Sequence, residues 1–200
     1  MQNLEEIYRD NFFARRTALD WRPSIICNAL YSVFKMGHQA SIVDVGCATG
    51  DIVKELNSRG FMADGIEGAK TALPYMQTNS VYIFDLRKQL SLEFKKYDLA
   101  ISIEVAEHIE KEYSEIYVEN LCKLSDLVFI TAALPESKGH YHVNCQNPEY
   151  WIELFAKFGY DFNEELTQKM KKFFEPMRRK KGLSQFYINS LIFKRNAYEI

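Results

Sequence analysis

The segment Glu104-Val-Ala-Glu-His108 places two carboxylates and an imidazole within one short stretch. If a helix begins near Val105, Glu104 and the pair Glu107 and His108 lie one turn apart around its N-terminus. Carboxylates and an imidazole that face one pocket can hold a divalent cation. The alternative is structural, with His108 capping the helix that follows.

A second polar segment, Gly139-His-Tyr-His-Val-Asn144, follows a predicted strand. Ligands of open α/β sheets bind at the carboxyl ends of the strands, so we expect His140, His142 and Asn144 to face a substrate. Without a metal, His140 or His142 could act as a general base, because imidazole titrates near neutral pH. His108 is a third candidate catalytic residue. The alternative is that His142 only packs the loop.

A glycine-rich turn, Val43-Asp-Val-Gly-Cys-Ala-Thr-Gly50, joins a buried strand to a helix. Gly46 permits a tight turn, Gly50 lets the helix approach a ligand, and Cys47 is small enough to leave room for it. The dinucleotide fingerprint is G-x-G-x-x-G, whereas the pattern here is D-x-G-x-x-x-G. Asp44 would repel a pyrophosphate but suits the ammonium of a methionine moiety. The spacing favours S-adenosylmethionine (SAM) over NAD or FAD.

Predicted strands and helices alternate along the chain with short connections, which is typical of a parallel sheet built from right-handed βαβ units. A helix-rich insert precedes the final predicted strand, 184–193, which suits an antiparallel addition at the sheet edge. We therefore expect an α/β fold, a three-layer sandwich with a mostly parallel sheet and an antiparallel last strand. The other predicted strands are 41–46, 61–66, 81–84, 97–103 and 127–131, and the predicted helices after the first strand are 50–59, 69–76, 113–124 and 148–158.

The 200 residues suit one domain, with a helical lid over 1–39 and a core over 40–200. Lid residues Tyr8, Phe12, Phe13 and Trp21 are expected to cover the SAM pocket. The four cysteines form no C-x-x-C pair, which argues against a zinc knuckle and favours reduced thiols. The N-terminus lacks a signal-peptide pattern, and no apolar stretch of about 18 residues occurs. These features predict a cytoplasmic protein without a membrane span.

The segment Lys169–Lys181 contains seven lysines and arginines and a single acid, Glu175, although the formal net charge of the chain is −2. Phe173, Phe174 and Met177 are interleaved with them. A polyanion such as RNA, or an anionic membrane surface, could dock here. The alternative is a solvated helix and loop beside the substrate mouth.

Taken in order, these motifs resemble the class I (Rossmann-like) SAM-dependent methyltransferases over about residues 40–195. In that resemblance Asp44, Gly46 and Gly50 form the first motif, with Ala48 where many members have a middle glycine. The resemblance further implies that Glu67 binds the ribose hydroxyls, that Asp85 reads the adenine amine and that Glu104 lines the methionine side. Asp44, Glu67 and Asp85 also have a structural alternative, as a helix cap or a turn residue. The resemblance as a whole implies a three-layer Rossmann-like sandwich with a seven-stranded, mostly parallel sheet and an antiparallel last strand.

The E-x-x-E-H element with a downstream histidine is similar to ubiquinone-biosynthesis O-methyltransferases and small-RNA 3′-terminal 2′-O-methyltransferases. That resemblance implies a metal, Mg²⁺ or Mn²⁺, held by Glu104, Glu107, His108 and His142; relatives with the same E-H pair but no metal leave this open. The stretch 139–155 is similar to bacterial and phage methyltransferases associated with sugar modification. The prediction is O-methylation of a hydroxyl on a small molecule or glycan. The alternatives are a metal-dependent RNA 2′-O-methyltransferase and a non-catalytic SAM-binding partner subunit.

Overall fold

The computed structural model describes residues 2–14, 21–91 and 95–196. Their centre is a seven-stranded sheet in the order β3-β2-β1-β4-β5-β7-β6. Strand β7 pairs antiparallel with both of its neighbours, and the pairs among β1 to β5 are parallel. The predicted α/β sheet with an antiparallel last strand is confirmed. The strands are β1 Ser41–Val45, β2 Met62–Glu67, β3 Val81–Ile83, β4 Leu99–Ile103, β5 Leu127–Thr131, β6 Tyr160–Phe162 and β7 Ser190–Arg195.

Helices cover both faces of this sheet. The helices are α1 Leu4–Ile7, α2 Asp10–Ala14, α3 Trp21–Phe34, α4 Asp51–Ser58, α5 Ser114–Leu124, α6 Pro148–Ala156, α7 Glu164–Phe174 and α8 Ser184–Asn189. Short 3-10 turns lie at Lys70–Tyr75, Ala106–His108, Lys111–Tyr113 and Glu175–Met177. In the described part of the chain, no helix is both long enough and apolar enough to cross a membrane.

Strand β1 shows how the sequence builds the two cores. Val43 and Val45 belong to a cluster with α5 and α6, whereas Ile42 packs in a second cluster with α3, α4, α7 and α8. Successive side chains of a strand point to opposite faces, so the buried apolar residues Ile42, Val43 and Val45 fit a strand that is covered on both sides. This burial fixes β1, and with it the carboxyl end that carries Asp44.

The C-terminal region differs from the sequence prediction of one strand over 184–193. Residues Ser184–Asn189 form helix α8, and only Ser190–Arg195 pair with β5. Phe186 stacks on Phe174 of α7 at a centroid distance of 4.7 Å, which draws the first half of the segment into the helical layer. The helix predicted over 69–76 is a 3-10 helix, Lys70–Tyr75, with Pro74 inside it. Strand β6 has no counterpart among the strands predicted from the sequence.

Candidate functional site

The glycine-rich turn leaves β1 through Gly46, whose φ is +83°. A Cβ at Gly46 would lie 2.4 Å from Cγ2 of Val105, so glycine is required here for both its backbone conformation and its size. The N–H groups of Gly46 and Cys47 donate to the carbonyl of Ile66, which holds the turn against β2. Asp44 is buried just before this turn. Gly50, with φ +75°, is the N-cap of α4.

The backbone of Cys47 forms part of this turn, and its side chain packs in the apolar core. A Cβ added at Gly65 of β2 would lie 2.6 Å from the Cys47 Sγ, so the thiol fills the space that Gly65 leaves. Burial, followed by the charges of Asp44 and Glu67, raises the pKa of the Cys47 thiol well above its ordinary value. The thiol is therefore neutral and structural.

Ala48 adopts a left-handed conformation with φ +51°, at the position where the family resemblance has glycine in many members. Its N–H donates to Oε2 of Glu67 at 2.9 Å. This hydrogen bond links the turn after β1 to the acid at the end of β2. The left-handed conformation is strained for an L-residue such as alanine.

Replacing Ala48 with glycine is expected to raise the free energy of unfolding by about 0.5 kcal/mol. Left-handed strain of about 1–2 kcal/mol is relieved, against an entropic cost of glycine of roughly 0.5–1 kcal/mol. Urea denaturation measures the change. The control is Ala156→Gly in helix α6, where φ is negative and the same substitution should destabilise. Equal destabilisation by both would contradict the strain at Ala48.

Glu67 ends β2 with both carboxylate oxygens placed by backbone donors. Oε1 accepts from the Ala69 N–H at 2.9 Å, and Oε2 accepts from Ala48. A carboxylate oxygen has two lone-pair sites, so it can accept more than one donor. The predicted contact of Glu67 with the ribose hydroxyls stays a prediction.

Asp85 is placed differently from the sequence expectation, because its carboxylate is paired with Arg87. Nε of Arg87 donates to Oδ1 of Asp85 at 2.9 Å, and Nη2 donates to Oδ2 at 3.0 Å. Nη1 of Arg87 donates to Oε1 of Glu110 at 3.0 Å. Burial works to raise the pKa of Asp85, but the hydrogen bonds and charge of Arg87 hold that pKa below its ordinary value. The predicted adenine contact of Asp85 stays a prediction. Half-buried Asp85 is held by buried Arg87, a partner that no motif of the sequence indicated.

Glu104 follows β4 in a left-handed conformation, with φ +55°. Its N–H donates to Oγ1 of Thr131 at 2.8 Å, and its Oε1 lies 3.4 Å from Nδ2 of Asn189. A non-glycine residue in this region is strained, and such strain concentrates at functional sites when the surroundings hold it. The side chain lies at the wall of two cavities.

Three of the four predicted metal ligands come together. Ligand atoms of Glu107, His108 and His142 lie within 4.8 Å of one another, and Glu107 is fully buried. The rings of His108 and His142 are perpendicular, with centroids 5.0 Å apart. Glu104, the fourth predicted ligand, lies outside this cluster and contacts Asn189 instead.

Both histidines of this cluster are oriented by backbone carbonyls. Nδ1 of His108 lies 3.1 Å from the carbonyl of Tyr141, and Nδ1 of His142 lies 3.2 Å from that of Ser137. A neutral imidazole that donates from Nδ1 carries its lone pair on Nε2, the form that can bind a metal or accept a proton. Gly139 packs on the His142 ring, since a Cβ there would lie 2.0 Å from Nε2.

The other two polar residues of this loop have different partners. Nε2 of His140 lies 2.8 Å from the Ile7 carbonyl, which ties the loop to α1. Asn144 is buried, donates to Ser114 Oγ at 2.9 Å and accepts from Gln146. The expectation that Asn144 faces a substrate is therefore wrong, because its amide fastens the loop to the start of α5.

The N-terminal helices supply aromatic rings to this part of the molecule. The ring of Tyr8 lies 6.0 Å from that of His108 and 5.9 Å from that of His140, and Phe12 lies 5.3 Å from His140. Phe13 is buried beside Ala48. The side chain of Trp21, the fourth predicted lid residue, lies outside the described residues. A lid function for 1–39 stays a prediction.

Two adjoining cavities lie at the carboxyl ends of β1, β2 and β4, and together they form one cleft. The larger, of about 280 Å³, contains Asp44, Glu107 and His142 in its wall, and the smaller, of about 70 Å³, contains Glu67 and the Asp85–Arg87 pair. The wall they share consists of Phe12, Gly46, Ala48, Glu104 and His108. All the predicted cofactor and metal residues except Gly50 thus line a single cleft.

Arg22 also lines the larger cavity, with Gln185 and Phe186. No motif marks these residues as ligand contacts, because they come from α3 and α8, on either side of the recognised motifs. Arg22 stands next to Pro23 in the sequence, and a proline there predicts the start of a helix but says nothing of a ligand contact.

No family model matches the chain. Among curated proteins, it is similar to the ubiquinone biosynthesis O-methyltransferase of Rickettsia typhi, with 41% identity over 133 residues that cover 62% of this chain and 53% of the relative. The same enzyme of Rickettsia bellii is 29% identical, with coverage of 62% and 55%. The chain therefore spans about half the length of the curated relatives it matches.

Among solved structures, the chain is similar to the SAM-bound magnesium protoporphyrin IX methyltransferase of Synechocystis, with a TM-score of 0.60, 17% identity and coverage of 96% of this chain and 89% of that one. A putative methyltransferase in complex with the Trm112 activator of Haloferax volcanii gives a TM-score of 0.68, 13% identity and coverage of 99% and 100%. The fold predicted from the motifs is confirmed: the chain has the Rossmann-like fold of the class I SAM-dependent methyltransferases.

Proposed function

We propose that the chain binds SAM and transfers its methyl group to a hydroxyl oxygen of a small molecule or glycan. The observation that carries this proposal is the convergence on one cleft of Asp44, Glu67 and Glu104, from three strand ends, with the Glu107, His108 and His142 cluster. The similarity to relatives named as O-methyltransferases supports the choice of oxygen as acceptor.

The two ends of the cleft suit the two ends of SAM. In the larger cavity Asp44 would pair with the ammonium and Arg22 with the carboxylate of the methionine moiety, which gives each charge a partner of opposite sign. In the smaller cavity Glu67 would receive the ribose hydroxyls, beside the Asp85–Arg87 pair at the adenine end. Gly46 and Ala48, in the wall between the cavities, would lie against the middle of the cofactor.

Methyl transfer is an in-line displacement, so the main task of the protein is to hold the acceptor oxygen opposite the sulfonium. The acceptor hydroxyl loses a proton in the process, and a neutral imidazole with its lone pair on Nε2 can accept it. The backbone carbonyls beside Nδ1 of His108 and of His142 favour this form of both rings. His140, whose Nε2 lies 2.8 Å from the Ile7 carbonyl, instead ties its loop to α1.

The donor set also fits a divalent cation, with one carboxylate from Glu107 and two imidazoles from His108 and His142. Imidazole suits transition metals, whereas Mg²⁺ prefers oxygen ligands, so this set favours Mn²⁺ over Mg²⁺. A bound cation would act as a Lewis acid on the acceptor hydroxyl. The carbonyls of Tyr141 and Ser137 would keep the two rings oriented toward it.

S-adenosylhomocysteine is expected to stabilise the protein against urea. At a hundred times its dissociation constant it should add about 2.7 kcal/mol to the free energy of unfolding. Mn²⁺ should add a further increment that EDTA removes, and Mg²⁺ a smaller one. NAD at the same concentration is the control and should have no effect. A folded protein that S-adenosylhomocysteine does not stabilise would contradict the cofactor assignment.

The same protein then distinguishes an enzyme from a non-catalytic SAM-binding subunit. Methyl-labelled SAM is incubated with a panel of catechols, sugars and sugar phosphates, and the extracted products are counted. Label in a hydroxyl-bearing compound supports the enzyme. Tight S-adenosylhomocysteine binding without transfer to any panel member would favour the binding subunit.

A further inference from the structure

The basic segment Lys169–Lys181 is less uniform in the structure than in the sequence. Lys169 pairs with Glu165 at 2.6 Å, and Lys171 is half-buried, so that burial lowers its pKa. Among the interleaved apolar residues, Phe174 is fully buried, and Phe173 and Met177 pack against the same core cluster. These side chains hold α7 on the sheet and are not presented to a membrane or to stacked bases.

Of the five remaining cations, Lys172 is exposed on α7 and the other four form the basic turn, Arg178–Lys181. All four side chains are exposed. Within the part of the chain that the structure describes, no carboxylate lies within 4.0 Å of Arg178, Arg179 or Lys181. Three exposed cations without an ion-pair partner make this turn a place where an external anion can bind.

This turn is joined directly to the wall of the cleft. Gly182, with φ +83°, lies against Arg22, since a Cβ there would come within 3.3 Å of Arg22 Cδ. The Gly182 carbonyl accepts from Nε2 of Gln185 at 3.0 Å. Arg22, Gln185 and Phe186 all line the larger cavity. The basic turn therefore lies at the rim of the cavity that contains the histidine cluster.

The sign of the charge changes between the interior of the cleft and this rim. The wall of the larger cavity carries the acids Asp44, Glu104 and Glu107, whereas the basic turn lies next to Arg22 and outside this wall. Acids inside suit the cationic SAM, and cations at the rim attract an anionic group that stays outside. An acceptor that places a hydroxyl at the histidines would thus carry its negative charge at the opposite end.

We propose that the basic turn binds a phosphate group of the methyl acceptor, so that the substrate is a phosphorylated small molecule. This rests on the proposed function. Arginine matches phosphate with a fork of parallel donors, and Arg178 and Arg179 provide two such forks. A polynucleotide is disfavoured, because a protein that tracks a nucleic-acid backbone makes about six to ten phosphate contacts, whereas the basic turn offers three cations without an ion-pair partner among the described residues.

The test uses inorganic diphosphate as the probe, titrated calorimetrically into the full chain saturated with S-adenosylhomocysteine. We expect saturable binding that Arg178→Ala/Arg179→Ala weakens at least about tenfold, from the loss of two charged contacts. The matched control is Lys54→Ala/Lys194→Ala, which removes the same charge from exposed positions on α4 and β7 and should change the dissociation constant less than twofold.

Equal weakening by both double variants, or no saturable binding of diphosphate, would overturn the proposal. A 12-nucleotide single-stranded RNA is titrated in parallel. Binding of the RNA more than tenfold tighter than diphosphate, with a steep salt dependence, would overturn it in favour of a nucleic acid. Failure of S-adenosylhomocysteine to bind in the first step would count against the proposed function, so that the two failures are distinguishable.

Discussion

Replacing Arg22 with alanine should weaken S-adenosylhomocysteine binding by about 10- to 100-fold, because a hydrogen bond to a charged group contributes about 1.5–3 kcal/mol. Binding of 5′-methylthioadenosine should change less than twofold. This second nucleoside has the adenosine and the sulfur but lacks the amino acid, so it cannot lose a contact to Arg22. Calorimetric titration of both ligands measures the difference.

Two further variants locate the effect within the cofactor. Asp44→Asn should behave like Arg22→Ala, since it removes the partner of the ammonium, whereas Glu67→Gln should weaken both nucleosides because both have the ribose. Lys54→Ala controls for the loss of a positive charge. If Arg22→Ala weakens both nucleosides equally, Arg22 acts through its packing on Gly182, and the carboxylate contact is wrong.

The motif residues could be predicted because their requirements are local. Gly46 needs a positive φ and the absence of a Cβ, and Asp44 precedes it by two residues on a strand buried on both faces. Such constraints act within a few residues and therefore leave a readable pattern. The same holds for Glu67, which ends the next strand and bonds back to the turn.

Arg22 and Asn144 show where local reasoning fails. Arg22 reaches the cleft because α3 packs beside α4, a tertiary fact with no signature near the arginine itself. Asn144 was assigned to the substrate from its place in a polar loop, yet its amide bonds to Ser114, 30 residues earlier in the chain. A polar side chain in a loop can satisfy either the loop or a ligand, and the sequence does not distinguish them.

The prediction of one strand over 184–193 was wrong for a related reason. Phe186 and Ile192 both carry the hydrophobicity expected of a strand, but Phe186 packs on α7 and Ile192 pairs with β5. Short apolar segments form a helix or a strand according to the neighbours they meet. The consequence is functional, because α8 rather than a strand brings Gln185 and Phe186 to the cleft.

Replacing His142 with alanine should lower methyl transfer to the panel compound that accepts label by at least about 100-fold, the lower range for loss of a general acid–base group. S-adenosylhomocysteine binding should change less than twofold, because His142 belongs to the acceptor side of the cleft. His38→Ala is the matched control, since it removes an exposed imidazole that lies beside Gly60, outside the cleft wall.

Mn²⁺ affinity, followed by electron paramagnetic resonance on the same variants, separates the two chemical roles of His142. A fall in both Mn²⁺ affinity and transfer indicates a metal ligand, whereas a fall in transfer alone indicates a proton acceptor. Gly139→Ala should reproduce the result for His142→Ala in weaker form, because its Cβ would occupy the space that the His142 ring fills. The His142→Ala variant could instead transfer methyl groups as fast as the His38→Ala variant. In that case the His142 ring, which the Ser137 carbonyl orients, only packs the loop, and another group accepts the proton of the acceptor hydroxyl.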